Sequence, residues 1–215
     1  MPGNSDDRIC AVILAGGEGS RFGRLKQIEP VGETCLLGIV VSSALHCAEF
    51  ENVVLVLGAG ADMVKGALGG IIDDNRLEVI INDNYTNGMS TSIRAGLEAA
   101  QRNEYDAVVF LLGDMPMIDA GLLDAMIARY RSSDRSLCYV RANGRTGHPI
   151  IVRKDHFDAF MNIEGDIGGR EIVRENIESA LEIDIDDEGI DHQLDINNAE
   201  DMKAYLSLCR GRNAT

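Results

Sequence analysis

The chain reads as an α/β protein, a single-domain, doubly wound and mostly parallel sheet with helices on both faces. Three observations predict this. Segments 9–14, 53–57 and 107–112 are short and wholly apolar, the pattern of strands buried on both faces of a parallel sheet. Strand, turn and helix patterns then alternate four times, each unit about the size of a βα repeat. No linker, repeat or low-complexity tract interrupts the 215 residues, a length that suits one domain with a sizeable core.

Taken in order, segment 9–14 is the first strand and ends in a glycine-rich turn. Residues 36–48 carry apolar side chains at helical spacing. Segment 53–57 is the second strand, closed by Gly58-Ala59-Gly60, and 61–68 is a helix. Segment 77–81 is the third strand, and 89–100 is a helix with Ser90 or Thr91 near its start. Segment 107–112 is the fourth strand, ending in Gly113-Asp114, and a helix over 118–130 follows. The pattern then changes. Segments 137–141 and 149–152 read as strands joined through the turn pair Asn143-Gly144, with more loop before His148. Short helices over 155–161 and 168–176, a strand over 181–185, an acidic loop over 184–191 and a closing helix over 198–208 complete the chain. Residues 1–8 are polar and read as a flexible lead-in.

Charge narrows the partners. Twenty Lys and Arg against 35 Asp and Glu leave a formal net charge of −15. Such a surface repels nucleic acid and anionic membrane, so neither is expected as a partner. The five cysteines are scattered and form no Cys-x-x-Cys pair, which suggests neither a disulfide framework nor a zinc site. No apolar run reaches the length of a membrane span, and the start has no signal-peptide core, so a cytoplasmic protein is expected.

Ligands of open α/β sheets bind at the carboxyl ends of the strands. That rule gathers the glycine turn, Gly58-Ala59-Gly60, Asn82-Asp83-Asn84 and Gly113-Asp114 on one edge. Glycine lets a backbone approach an anion and point N–H groups at it, while Arg21, Arg24 and Lys26 add the charge a polyphosphate needs. The Walker A pattern is absent, and Gly17-x-Gly19-x-x-x-Gly23 exceeds the dinucleotide fingerprint by one residue. Asp114, at the end of an apolar strand, suits Mg²⁺, which takes one or two carboxylates plus substrate phosphates. On its own, an Asp before Met115-Pro116 reads better as a helix-entry cap, and only beside a polyphosphate loop does the metal role lead.

The run Leu14-Ala15-Gly16-Gly17-x-Gly19-Ser20-Arg21-Phe22-Gly23-x-x-Lys26 resembles the signature of the molybdenum-cofactor nucleotidyltransferases. Gly113-Asp114-Met115-Pro116 looks like their metal motif, and the run 193–201 resembles their closing Asp-Ile-Asp/Asn-Thr-Pro-Glu-Asp segment, with Asn198-Ala199 in place of Thr-Pro. The block from Asn82 through Gly88 to Ser92 is similar to one in the cytidylyl group, with Asp83 where that group often has proline. Gly147-His148-Pro149 and Gly165-Asp166-x-Gly168-Gly169-Arg170 are similar to two more blocks of that group.

The resemblance implies a nucleotide-diphospho-sugar transferase-like fold, with residues 9–115 as the nucleotide-binding half and 116–208 as the acceptor-binding half. It implies Leu14, Ala15, Gly16, Gly17, Gly19, Arg21, Lys26, Asn82, Gly88 and Ser92 as nucleotide-binding residues, with Lys26 and Arg21 catalytic. Asp114 and Asp195, with Asn197 a weaker ligand, would hold Mg²⁺, and Asn198 would cap the closing helix. Gly147, His148, Pro149, Asp166 and Gly168 would face the acceptor. The implied reaction joins a nucleoside monophosphate from NTP to the phosphate of molybdopterin or the molybdenum cofactor, releasing pyrophosphate. A molybdoenzyme or its chaperone would be the downstream partner. Ala15-Gly16-Gly17 matches the guanylyl group while the later blocks match the cytidylyl group, so both CTP and GTP stay open, with whole-chain similarity favouring CTP. A sugar-phosphate or alcohol-phosphate nucleotidyltransferase is the alternative enzyme, and a nucleotide-binding module without turnover is the alternative class.

Overall fold

A computed structural model describes residues 4–17, 22–23, 25–142, 145–185 and 192–212, and every statement below concerns these. The elements run β1 (Ile9–Ala15), a small hairpin of β2 (Pro30–Val31) and β3 (Thr34–Cys35), α1 (Leu36–His46), β4 (Asn52–Leu57), α2 (Ala61–Leu68), β5 (Leu77–Ile81) and α3 (Met89–Arg102). They continue with β6 (Ala107–Leu112), α4 (Ala120–Arg131), β7 (Leu137–Ala142), β8 (Arg145–Arg153), α5 (Phe157–Met161), α6 (Gly169–Glu175), β9 (Leu181–Asp184) and α7 (Ala199–Arg212).

The main sheet has the order β5-β4-β1-β6-β8-β7-β9. Strand β1 lies near its centre, parallel to β4 and β6, with Ile13 level with both Leu55 and Leu111. Only β8 runs against its neighbours, pairing antiparallel with β6 and β7, so the expected mostly parallel sheet is what forms. Why the β1 run carries no polar residue follows from its place. Ile9, Ala11, Ile13 and Ala15 pack with Val40 of α1, Val64 of α2 and Ile127 of α4 on one face. Cys10, Val12 and Leu14 pack with Leu97 of α3, Phe160 of α5 and Val173 of α6 on the other. A strand covered on both sides has no face to spare for water. A third cluster, with Val31, Leu36, Met117, Ile196, Met202 and Tyr205, fastens the chain before and within α7 to the carboxyl edge of the sheet.

Several expected boundaries move, each for a local reason. Helix α4 starts at Ala120 because the Asp119 side chain caps it, accepting from the Leu122 N–H at 2.9 Å. Helix α7 starts after Asn198, whose Oδ1 accepts from the N–H groups of Glu200 (2.8 Å) and Asp201 (3.0 Å). Asp201 returns the favour by accepting from the Asn198 N–H at 3.1 Å, a reciprocal capping box. The strand expected over 149–152 is longer and takes in Gly147-His148-Pro149. Between Tyr139 and Val140 its register slips past His148 and Pro149, and the His148–Pro149 peptide is cis. Proline cannot donate to a ladder, so an internal strand accommodates it at such a bulge.

The lead-in differs too. Residues 4–8, expected to be flexible, are tied down. The buried Asn4 donates to the carbonyls of Arg135 (2.7 Å) and Tyr130 (3.2 Å), Arg131 donates to those of Ser5 and Asp7, and Arg8 pairs with Glu51. The Asn143-Gly144 turn and the acidic run over 186–191 lie outside the described residues. Among the described residues, no helix is long and apolar enough to cross a membrane.

Candidate active site

The carboxyl edge assembles from backbone ties between successive strand ends. Gly113 N–H donates to the Leu14 carbonyl (3.0 Å), and Ala59 N–H donates to the Gly16 carbonyl (3.2 Å). Beyond β1 the chain returns in a 3-10 turn, Lys26–Ile28. Gln27 in that turn is buried, and its amide donates to the carbonyls of Gly17 (2.8 Å) and Ala15 (3.4 Å), so the turn is fastened to the glycine loop. Gly19 and Arg21 lie outside the described residues, as do Ser20 and Arg24.

That fastening aims Lys26. Its ammonium donates to Asp114 Oδ2 at 2.5 Å and to Asn197 Oδ1 at 3.4 Å. The two side chains of the ion pair are only 15% and 21% exposed. The tail reaches this point because the Ile196 N–H donates to the Asp114 carbonyl at 3.0 Å, with Ile196 itself fully buried. Lys26, Asp114 and Asn197, far apart in the chain, thus meet at one place. Asp195, half-buried, directly precedes the Ile196 anchor.

The chemistry of this donor set suits a hard divalent cation. Asp114 Oδ1 is buried with no hydrogen-bond partner, an acceptor waiting for a positive charge. Carboxylate and amide oxygens are the ligands Mg²⁺ or Mn²⁺ takes. Among the described residues no cluster of three or more His, Cys, Asp or Glu forms a protein-only metal cage. A site of one or two carboxylates plus an amide, completed by phosphates and water, is the Mg²⁺ pattern.

A pocket of about 430 Å³ opens beside the glycine loop. Leu14, Gly16 and Gly17 line one side, Tyr85, Thr86, Gly88, Met89 and Ser92 another, and Asp166 a third. One glycine is required there and a second fits tightly. A Cβ on Gly16 would lie 2.9 Å from Ser92 Oγ, and one on Gly88, whose φ is +104°, would collide with the Gly165 carbonyl. Gly17, by contrast, has nothing within 4 Å of where a Cβ would stand. Asn82, expected at the nucleotide, instead sits beneath the pocket wall and is 6% exposed. Its amide donates to Thr91 Oγ1 (2.8 Å) and Ser92 Oγ (3.0 Å), and its Oδ1 accepts from the Asn84 N–H, so its polar atoms hold the wall together.

The blocks expected to face the acceptor separate. Gly147, His148 and Pro149 lie within β8, clamped by Gln193, which accepts from the His148 N–H (3.0 Å) and donates to the His148 carbonyl (2.5 Å). The Gln193 carboxamide occupies the space a Cβ on Gly147 would need. The His148 imidazole is 4% exposed. Burial, and then the nearby Arg170 charge, push its pKa down to about 3, so it is neutral at physiological pH. Asp166 and Gly168 lie with the nucleotide block instead. Ser90 N–H donates to the Gly165 carbonyl (3.1 Å), and a Cβ on Gly168 would stand 3.2 Å from Met89 Sδ. Sequence reasoning missed Gln27, Gln193 and the pocket residues Tyr85, Thr86 and Met89. Gln27 directly follows Lys26, but nothing in its spacing tells a clamp from a surface amide.

The family model for the MobA-like NTP transferase domain matches residues 11–180. The chain belongs to this family. A curated relative, the bifunctional protein GlmU of Pseudomonas syringae pv. syringae, is 32% identical over 146 residues, 67% of this chain and 30% of its own length. The chain therefore spans about a third of the length of the curated relatives it matches. Rv0371c from Mycobacterium tuberculosis H37Rv superposes with a TM-score of 0.79 at 24% identity, covering 94% of this chain and 98% of that one. A second structure of Rv0371c is a complex with manganese, with a TM-score of 0.76, 23% identity, and coverage of 93% of this chain and 98% of that one. A cytidylyltransferase from Leptospira borgpetersenii has a TM-score of 0.70 at 24% identity, covering 94% of this chain and 86% of that one. These structures share the single α/β architecture described above.

Proposed function

We propose that this MobA-like domain is a divalent-metal-dependent nucleotidyltransferase. It moves a nucleoside monophosphate, CMP in the first instance, from NTP to the phosphate of molybdopterin or its molybdenum form and releases pyrophosphate. The observation that carries this reading is the meeting of Lys26 with Asp114 and Asn197 next to a glycine-lined pocket. A sensor of nucleotides has no need of a lysine and a metal carboxylate converging on one point. Cytidylyl chemistry on the same fold, in the Leptospira cytidylyltransferase, supports the choice of CTP. The resemblance of the Gly147-His148-Pro149 block to the cytidylyl group supports the pterin acceptor over a sugar phosphate.

In this reading an acceptor phosphate oxygen attacks the α-phosphorus in line. A new P–O bond forms, and the bond to the β-phosphate bridging oxygen breaks. The attacking oxygen is already anionic, so no strong general base is needed, and catalysis rests on positioning and charge neutralisation. Lys26 turns from Asp114 to the phosphates and offsets the negative charge that develops there. Arg21 belongs to the same loop motif and adds a second cation. Asp114 and Asp195, with Asn197 assisting, would hold Mg²⁺, which would supply Lewis-acid neutralisation of phosphate charge. Gly16, Gly17, Gly88 and Ser92 receive the nucleoside.

The test is to incubate the protein with Mg²⁺, CTP or GTP, and molybdopterin, then measure pyrophosphate, with a sugar phosphate as a parallel acceptor. Release that depends on the pterin supports the proposal. Release only with the sugar phosphate moves the acceptor to the alternative reading, and no release with any pair refutes nucleotidyl transfer to these acceptors.

A further inference from the structure

We propose that Asp166 reads the nucleobase, its carboxylate accepting a hydrogen bond from an exocyclic amino group. The inference rests on the nucleotidyltransferase reading and adds to it the group that selects the base. Among the described residues, Asp166 is the one charged side chain in the lining of the glycine-loop pocket. A carboxylate there repels phosphate, so the triphosphate runs out of the pocket towards Lys26. The nucleoside end is what remains for the pocket, and Leu14 and Met89 supply apolar surface for a ring.

Two further observations single out Asp166. Among the described residues, no hydrogen bond or ion pair engages its side chain, so its lone pairs are available to a ligand. Its backbone is nevertheless held. The Gly165 carbonyl accepts from the Ser90 N–H at 3.1 Å, and Gly88 fits flush against Gly165 and the Asp166 nitrogen. Upstream, the Arg94 guanidinium donates to the carbonyls of Met161 (3.1 Å) and Ile163 (3.3 Å) and anchors the approach to this loop. A pre-positioned acceptor next to a base pocket is a device for selection rather than for bulk affinity. Cytosine and guanine carry an amino group that donates to a carboxylate. Uracil has a carbonyl oxygen in the corresponding place, which sets acceptor against acceptor, and hypoxanthine has only a hydrogen.

The experiment is isothermal titration calorimetry of CTP, UTP, GTP and ITP into the full chain with Mg²⁺, repeated for Asp166→Ala and Asp166→Asn. It needs no acceptor, so it is independent of the pterin assignment. Within the tighter-binding pair, CTP with UTP or GTP with ITP, the amino-bearing nucleotide binds wild type about 10- to 100-fold better, the scale of a hydrogen bond to a charged group. Asp166→Ala brings that ratio to about one, and Asp166→Asn, which keeps a neutral acceptor, falls between. Because Asp166 is exposed, the variants should melt like wild type by circular dichroism. An equal loss for all four nucleotides would place the carboxylate on the ribose and overturn the proposal. Unchanged ratios, with the effect confined to acceptor KM in a turnover assay, would overturn it equally. No binding of any nucleotide by wild type would overturn the nucleotidyltransferase reading and this inference with it.

Discussion

Replacing Lys26 with methionine tests the core of the site, because it removes the ammonium and keeps most of the stem. In the wild type the ammonium lies 2.5 Å from Asp114 Oδ2, and Asp114 Oδ1 is already buried without a partner. Taking the cation away leaves a largely buried carboxylate uncompensated. Breaking a fully buried pair costs about 3–5 kcal/mol, and an exposed pair is worth about 0–1 kcal/mol. With side chains 15% and 21% exposed, the pair falls between, at about 2 kcal/mol. For a domain of this size that corresponds to a fall in Tm of about 4–8 °C in EDTA. Metal should reverse much of this. A divalent cation on Asp114 supplies the missing positive charge, and in the variant it no longer competes with the ammonium. At a Mn²⁺ concentration about 100 times the variant's Kd the variant gains about 2.7 kcal/mol, while the wild type, whose ammonium competes and weakens binding about tenfold, gains about 1.4 kcal/mol. The gap in Tm between variant and wild type should therefore shrink to about half or less in Mn²⁺. Differential scanning fluorimetry in EDTA and in a Mn²⁺ series reads both numbers. A gap of the same size in both conditions would refute the argument, because it would mean that Asp114 does not face the metal. An Asp114→Asn control that still gains the full metal stabilisation would refute it as well.

Four further outcomes follow from the same geometry. Asp114→Ala should abolish turnover in Mg²⁺ while the far-ultraviolet circular dichroism stays that of wild type, and near-normal activity would remove the residue from the metal site. Gly17→Ala adds a methyl into open space, so its stability should stay within about 0.5 kcal/mol of wild type. Its CTP-to-GTP ratio of kcat/KM should move towards CTP by about tenfold or more, and a ratio that stays put would show that the base is read elsewhere. Gly16→Ala drives a methyl to 2.9 Å from Ser92 Oγ and should lose about 1–3 kcal/mol in a urea melt; no loss would mean that the wall yields freely. His148 is held neutral with its pKa down to about 3, while the unfolded chain takes up the proton near pH 6.5. Stability is thus unaffected by this group above pH 6.5 and is lost as pH falls from 6.5 towards 3, by up to about 1.4 kcal/mol per pH unit. His148→Gln should flatten that part of the urea-melt pH profile, and an identical slope would assign acid sensitivity to other groups.

How much of this was legible in the chain depends on whether the deciding interaction is local. The apolar run of β1 implies burial on both faces because no other environment tolerates seven residues with no polar side, and the alternating packing of Ile13 and Leu14 bears that out. Helix starts were less legible, since Asp119 and Asn198 set them through single side-chain hydrogen bonds that outweigh apolar periodicity. Asn198 could still be named as a cap, because the capping residues sit within three positions of each other. The longer β8 was illegible for a different reason. Pro149 argues against a strand unless a bulge absorbs it, and the bulge depends on register with β7, which only the folded sheet defines. The site divides along the same line. Lys26 and Asp114 each stand out by local context, but their 2.5 Å contact depends on Gln27 fastening one turn to Gly17 and on Ile196 docking on Asp114. Asn82 shows the converse. Its motif is local and easily read, yet that its amide would donate to Thr91 and Ser92 and brace the pocket wall depends on the fold. Asp166 travelled the other way, from a block assigned to the acceptor into the pocket beside Gly16 and Gly17, because Gly88 lacks the side chain that would keep the Gly165 loop off the start of α3. Absence of a Cβ carries no direction in a sequence, and here it sets which pocket a carboxylate lines.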